Sequence, residues 1–359
     1  MANLIRTIEL PLSRDYVRQW GVAEAVRELI QNAIDSSSPF EYAFVGDGLM
    51  IASRFDTLDL NTLILGKTSK ADADDQIGSF GEGYKIAMLV LVREGIDVVI
   101  RNGDADWVPS FRHSDNYGDE VLCIDIFEPL QHNQGLEFRL KGLTHTQSSA
   151  IHDSCLLMQP MMENVIETKR GNILADRPGK LYVGGLYVCD TELDYGYDMK
   201  PEFLKLERDR KTVDNWDLLN QTKEMWFSTG DWDDIANRMA AKMPDLAYAE
   251  YGCPELVKEA CFRHFTKEHP GHLAVNSQKD LDAAVAKGMT KTVHTGGGSY
   301  HYGVTSSKSY LDSTKHIVIH SSPQQFLEEW LEKRQRGLSH PMRIQFRDLI
   351  AEAAKWRLK

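Results

Sequence analysis

Glu28, Asn32 and Asp35 stand at i, i+4 and i+7 of the run Glu-Leu-Ile-Gln-Asn-Ala-Ile-Asp, a spacing that places all three on one stripe of a helix. An amide oxygen on that stripe suits magnesium, which keeps waters and substrate phosphates among its ligands. A carboxylate one turn away can take a proton from an attacking water. A second segment, Gly-Ser-Phe-Gly-Glu-Gly-Tyr-Lys over residues 78–85, carries Gly78, Gly81 and Gly83. Glycines permit positive φ and let a ligand approach backbone N–H groups closely. The apolar run Ile86–Val92 that follows reads as a buried helix, and a helix N-terminus favours anions. Together the two segments could hold a metal-bound polyphosphate between a carboxylate–amide face and a cradle of amides. Each also has a plainer reading: a solvated stripe on an amphipathic helix, and a tight surface turn.

The elements that must position these groups follow from periodicity. Val22, Val26, Leu29, Ile30 and Ala33 recur at helical spacing opposite the polar stripe, which predicts a helix over 22–36. The glycine loop is no Rossmann fingerprint, because the stretch before it, Lys67–Gln76, is polar; it is no P-loop, because the Gly-Lys-Ser/Thr ending is absent. Lys67–Gln76 reads as a mobile phosphate-covering lid or an ordinary surface loop. Glu41–Val45 and Leu49–Ser53 read as a hairpin about Asp47-Gly48. Ile96–Arg101, Val121–Phe127 and Leu136–Leu140 read as further strands, the first two separated by aromatic, turn-rich sequence. These make a mostly antiparallel sheet backed by helices.

The order and spacing of the two glycine- and carboxylate-bearing segments resemble the GHKL ATPase superfamily, whose members include heat-shock chaperones, gyrase-type topoisomerases, MutL proteins and histidine kinases. Arg27–Ser36 is similar to the N-box of the chaperones. Leu65–Lys70 and Ile77–Lys85 look like the start of the lid and the second glycine box. The resemblance covers roughly residues 15–140 and implies a Bergerat-type α/β sandwich that binds ATP and Mg2+. It implies Glu28 as general base, Asn32 as the magnesium ligand and Asp35 near the sugar and base. Lys67, Thr68, Ser69, Lys70, Gly78, Phe80, Gly81, Glu82, Gly83, Tyr84 and Lys85 would line the nucleotide site, with Gly81 and Gly83 at the triphosphate. A second domain in relatives sends a cation to the γ-phosphate; Arg208, Arg210 and Lys205 are the candidates, and a charged turn is the plainer reading of that run. The family's Asp-x-Gly-x-Gly box is absent. Its base-reading aspartate falls near Ser53, with Asp47 and Asp56 as alternatives. Gln134-Gly135-Leu136 stands where a Gly-Thr is usual. The phosphate half of the site is intact and the base-reading half is altered.

The chain has 359 residues, a formal net charge of −12, twelve histidines and five cysteines. The charge argues against broad nucleic-acid binding. The odd cysteine count without Cys-x-x-Cys reads as reduced, mostly buried thiols of a cytoplasmic protein. Met1–Arg18 is mixed and polar, without a signal pattern, and no apolar run reaches a membrane span. The fold expectation is therefore α+β: a nucleotide-binding domain over 1–145, a second, transducer-like α/β domain over 146–215, and a mainly helical region over 216–359. Within these, Pro160–Lys169 reads as a helix and Leu181–Val188 as a strand around Gly184-Gly185. Trp216, Trp226, Trp232, Met225, Met239 and Met243 read as the core of a helical layer. Thr295–Tyr302 reads as a glycine loop with no helix directly after it. His316–His320 reads as a strand, and Pro323–Arg336 and Pro341–Leu358 as closing helices.

The function expected is a Mg-dependent GHKL-type ATPase with nucleotide-driven lid and domain closure, fitting an orphan member of bacterial or phage origin. The alternative is a regulatory protein that binds nucleotide on the same scaffold without turning it over. A histidine kinase lacks its phosphoacceptor helix here and a topoisomerase its cleavage domain. Besides nucleotide, an unidentified protein or a second copy of the chain is left open as partner.

Overall fold

The computed structural model describes residues 3–36, 39–64, 83–129, 131–204, 206, 213–286, 291–315, 337–353 and four further positions at 327, 330, 331 and 334. The chain divides into two compact units, Met1–Asp217 and Leu218–Lys359.

The first unit is built on a seven-stranded sheet in the order β1-β6-β5-β4-β7-β3-β2. Its strands are β1 (Leu4–Ser13), β2 (Phe40–Val45), β3 (Gly48–Ser53), β4 (Asp97–Asn102), β5 (Ala105–Ser114), β6 (Asp119–Phe127) and β7 (Leu136–Lys141). Every neighbouring pair is antiparallel. Alternation sets the faces: Leu49, Ile51 and Ser53 of β3 and Val98, Ile100 and Asn102 of β4 are buried, while their neighbours along each strand are not. Helices α1 (Val22–Ile34), α2 (Gly83–Arg93) and α3 (His145–Asp153) back the buried face. α1 packs on β2 and β3, and α2 packs on α1, β4 and β5. Tyr84 through Leu91 are all buried, which accounts for the unbroken apolar run of α2.

Two strands were not legible as such. β1 lies in the stretch read as mixed and polar: Ile8, paired with Ile124, turns its side inward, with Leu10 and Leu12 buried beyond it, while Glu9 pairs with Cys123 on the other face. Pro11 fits there because β1 is an edge strand. β5 occupies the aromatic, turn-rich stretch and is joined to β4 by a tight turn at Gly103, φ +58°.

A five-stranded sheet follows in the order β11-β10-β12-β9-β8, formed by β8 (Val165–Thr168), β9 (Gly171–Leu174), β10 (Lys180–Val183), β11 (Leu186–Asp190) and β12 (Gly196–Met199). The helix expected over Pro160–Lys169 is not formed. Val165–Thr168 pairs instead with Gly171–Leu174, where β-branched Val165 and Ile166 suit a ladder better than a helix. The expected strand at Leu181–Val188 is a hairpin of β10 and β11. Gly184 and Gly185, at φ +57° and +79°, supply the two positive-φ positions that a two-residue loop needs.

The second unit is mainly helical: the greater part of α4 (Asn215–Ser228), then α5 (Trp232–Ala240), α6 (Glu255–Glu268), α7 (Gln278–Ala286), α8 (Gly298–Ser306), α9 (Lys308–Lys315) and α10 (His340–Ala353). Met225, Trp226, Met239 and Met243 are buried in it as expected, whereas Trp216, in the first turn of α4, is 53% exposed and Trp232 half-buried. A parallel pair, β13 (Leu273–Val275) and β14 (Thr292–His294), is joined through α7. The glycine loop after β14 leads straight into α8 at Gly298, contrary to the expectation of no helix there. The strand expected at His316–His320 lies outside the described residues, as does most of Pro323–Arg336. Among the described residues no helix is long and apolar enough to cross a membrane.

Candidate functional site

The polar stripe of α1 is not a solvated face. Glu28 is 2% exposed and Gln31 1%, and Asn32 and Asp35 are half-buried. Asn32 Nδ2 donates to the Glu28 carbonyl at 2.8 Å, which commits the amide nitrogen to its own helix and leaves Oδ1 as the amide's acceptor.

Gly83, the first residue of α2, lies against this stripe. A Cβ placed on it would overlap Glu28 Oε2 and stand 3.7 Å from Asn32 Nδ2. The two segments singled out by residue type therefore meet, and a glycine is needed where they touch. Connectivity explains the meeting. α1 runs into β2, which begins at Phe40 opposite Ser53, and α2 runs into β4, which begins at Asp97 opposite Lys141. The C-terminus of α1 and the N-terminus of α2 thus share the Ser53 end of the sheet. Asp47 sits in the β2–β3 turn at the opposite end, beside Gly46 at φ +62°, and its carbonyl accepts from Gly142 and Leu143 N–H at 3.1 and 2.8 Å. It is a hairpin residue.

Ser53 is buried at the end of β3. Gly135 lies across it so closely that any Cβ there would overlap the Ser53 and Arg54 carbonyls. Asp56 accepts a hydrogen bond from Ser36 Oγ, just past the end of α1. Of the three base-reading candidates, Ser53 and Asp56 therefore lie at the Gly83 end.

Tyr84 and Lys85 face the framework. Tyr84 OH donates to Thr62 Oγ1 at 2.8 Å, and burial pushes its phenol pKa up to about 12. Lys85 is fully buried, its Nζ donating to the Thr62 and Ile64 carbonyls at 2.7 and 2.8 Å. Asn102, absent from the sequence reading, holds Leu58 at both main-chain atoms: its Oδ1 accepts from Leu58 N and its Nδ2 donates to Leu58 O, each at 2.8 Å. The Asn102-Gly103 dipeptide signals a turn, and nothing in it signals this clamp. Lys67, Thr68, Ser69, Lys70, Gly78, Phe80, Gly81, Glu82, Lys205, Arg208 and Arg210 lie outside the described residues.

Other concentrations of chemistry are separate from this corner. Among the described residues no group of three His, Cys, Asp or Glu is placed to hold a metal. A cavity of about 1070 Å³ is lined by residues of β2, β3, β4, β5 and β7, among them Val45, Met50, Val99, Val108, Ser110 and Arg139. It contains no residue of the α1 stripe. In the second unit His264 Nδ1 pairs with Tyr300 OH at 2.7 Å, in keeping with a structural role.

No protein-family model matches the chain. An uncharacterized protein of Mycoplasma pneumoniae is 24% identical over 218 residues, which span 56% of this chain and 88% of that protein. Its name carries no activity.

Proposed function

We propose that the first unit is a Bergerat-type nucleotide site and that the chain is a Mg-dependent ATPase of the GHKL kind. The observation that supports this is the seating of Gly83 on Glu28 and Asn32. Two motifs far apart in sequence, each an expected half of such a site, come together with a buried carboxylate between them.

The residues present fit the group. Asn32 Oδ1 is a hard oxygen ligand for Mg2+, which takes few protein ligands when phosphates supply the rest. The main chain at Gly83 and the first turn of α2 offer N–H groups and the positive end of a helix dipole to the phosphates. Glu28, shielded from bulk water, accepts the proton of an attacking water. Asp35 lines the sugar and base end. Bound Mg–ATP supplies the electrophilic γ-phosphorus and the metal charge that offsets developing negative charge. Arg208, Arg210 and Lys205 remain the candidates for the cation at the γ-phosphate, and Lys67–Gln76 for the lid whose closure accompanies binding. ATP turnover by the purified chain, compared with Glu28→Gln and Asn32→Ala, tests the reading. Glu28→Gln lowers kcat about 10²–10⁴-fold with binding kept, and Asn32→Ala weakens Mg-dependent binding. Turnover unchanged in both refutes the roles.

A second reading, nucleotide binding without hydrolysis, is favoured by one observation. Buried Ser53, not a carboxylate, stands at the strand end where the base would be read. A pocket without that carboxylate discriminates poorly among bases. Melting shifts across ATP, GTP, CTP and UTP, alongside phosphate release, separate the two: comparable shifts without release support the second reading.

A further inference from the structure

Resting on the nucleotide site proposed above, the geometry points to Lys85 as the positioning residue that sets the Gly83 turn against Glu28 and Asn32. Burying an ammonium is costly unless its donors are met, and Lys85 is 0% exposed. Its Nζ spans the Thr62 and Ile64 carbonyls, which belong to the short helical turn Leu60–Leu63 and to its C-cap residue. Carbonyls at the end of such a turn lack helical donors, and a cation satisfies them. The neighbouring side chain does the same work, since Tyr84 OH bonds Thr62 Oγ1 and its ring lies 5.5 Å from Lys85 Nζ.

The turn they grip is fixed from behind. Thr62 Oγ1 donates to the Asp59 carbonyl at 2.5 Å, Asn102 holds Leu58, and Ser36 holds Asp56. A chain of polar clamps thus runs from the end of α1 through residues 56–64 to the first turn of α2. Gly83 is the residue immediately ahead of the last clamp. The other end of α2 has a clamp of its own: Arg93 donates to the Tyr16 and Trp20 carbonyls at 3.1 and 2.6 Å. Arg93 is in α2's last turn and far from Gly83, so it is the control for stability loss in the same helix.

The test uses the full chain, with Lys85→Met, the milder Tyr84→Phe, and Arg93→Met as control. Two readouts are taken: the dissociation constant for Mg-ATP by calorimetry, and hydrogen exchange of the 83–86 amides without nucleotide. The expected result is binding weakened about tenfold or more in Lys85→Met and several-fold in Tyr84→Phe. Exchange rises at 83–86 in both, and Arg93→Met keeps wild-type affinity despite a comparable drop in Tm. Equal affinity in the Lys85 and Arg93 variants overturns the proposal, since a merely structural lysine moves Tm alone. If Lys85→Met does not fold, Tyr84→Phe decides by the same two readouts. If the wild type binds no Mg-ATP, the nucleotide reading falls by itself, and the clamp then stands or falls on selective exchange at 83–86.

Discussion

Gly83 is held to glycine by its contact with α1. A Cβ on Gly83 would meet Glu28 Oε2, so Gly83→Ala pushes against the buried Glu28 carboxylate. Overpacking of this kind costs about 1–3 kcal/mol, and here the displacement falls on the carboxylate. The expected outcome is a lowered urea midpoint together with loss of nucleotide-dependent stabilisation, measured by denaturation with and without Mg-ATP. The helix that carries Glu28 and Asn32 was legible in the sequence, because a helix stripe leaves a fixed spacing. The burial of the stripe was not. Periodicity assigns Glu28 to the face opposite Leu29 and Ile30, and only the arrival of α2 covers that face. Nor was the anchoring of Lys85 legible: its ammonium lies on the Thr62 and Ile64 carbonyls, partners that no local spacing announces.

At the scale of elements, the strands with strict alternation or continuous apolar runs were readable, and those carrying Pro or mixed polarity were not. β1 and β5 needed partners before they were strands at all, which is a tertiary fact. Val165–Thr168 shows the same dependence, drawn from a helical reading into a ladder by the turn before Gly171. The loop between β3 and the Leu60–Leu63 turn has little regular structure, and Asn102 substitutes for it by pairing with Leu58 at both main-chain atoms. Asn102→Ala leaves a donor and an acceptor unmet and costs about 1–3 kcal/mol, read as a shift of the unfolding midpoint of the first unit. Asn102→Asp keeps the acceptor but sets a carboxylate oxygen against the Leu58 carbonyl in a buried place, so its expected shift is at least as large. Equal midpoints for wild type and Asn102→Ala remove the clamp from the account.

At the scale of the whole molecule, the five thiols are unpaired, and all but half-buried Cys189 are buried. Burial pushes the Cys253 pKa up to about 11 and that of Cys261 to about 12, from an ordinary 9.0. The neutral thiol is the form the fold accepts. Stability from these groups is therefore complete below pH 9 and is lost as pH climbs from 9 through 11 and 12. The slope is on the order of 1.4 kcal/mol per pH unit for each thiol inside its window. Urea unfolding of the second unit at stepped pH from 8 to 11 should show this decline, and Cys261→Ala should flatten it. In the first unit Tyr84 adds a later loss between pH 10 and 12. The five-stranded sheet and the larger sheet fall in one compact unit, Met1–Asp217.

The β2–β3 hairpin tip, with Val45 75% exposed, lies at the end of the sheet farthest from Gly83. A maleimide dye on Val45→Cys would meet little competition from the native sulfhydryls. It would also ride on a rigid ladder, so any change in its emission on adding a triphosphate would report movement transmitted through the sheet and not contact with the ligand.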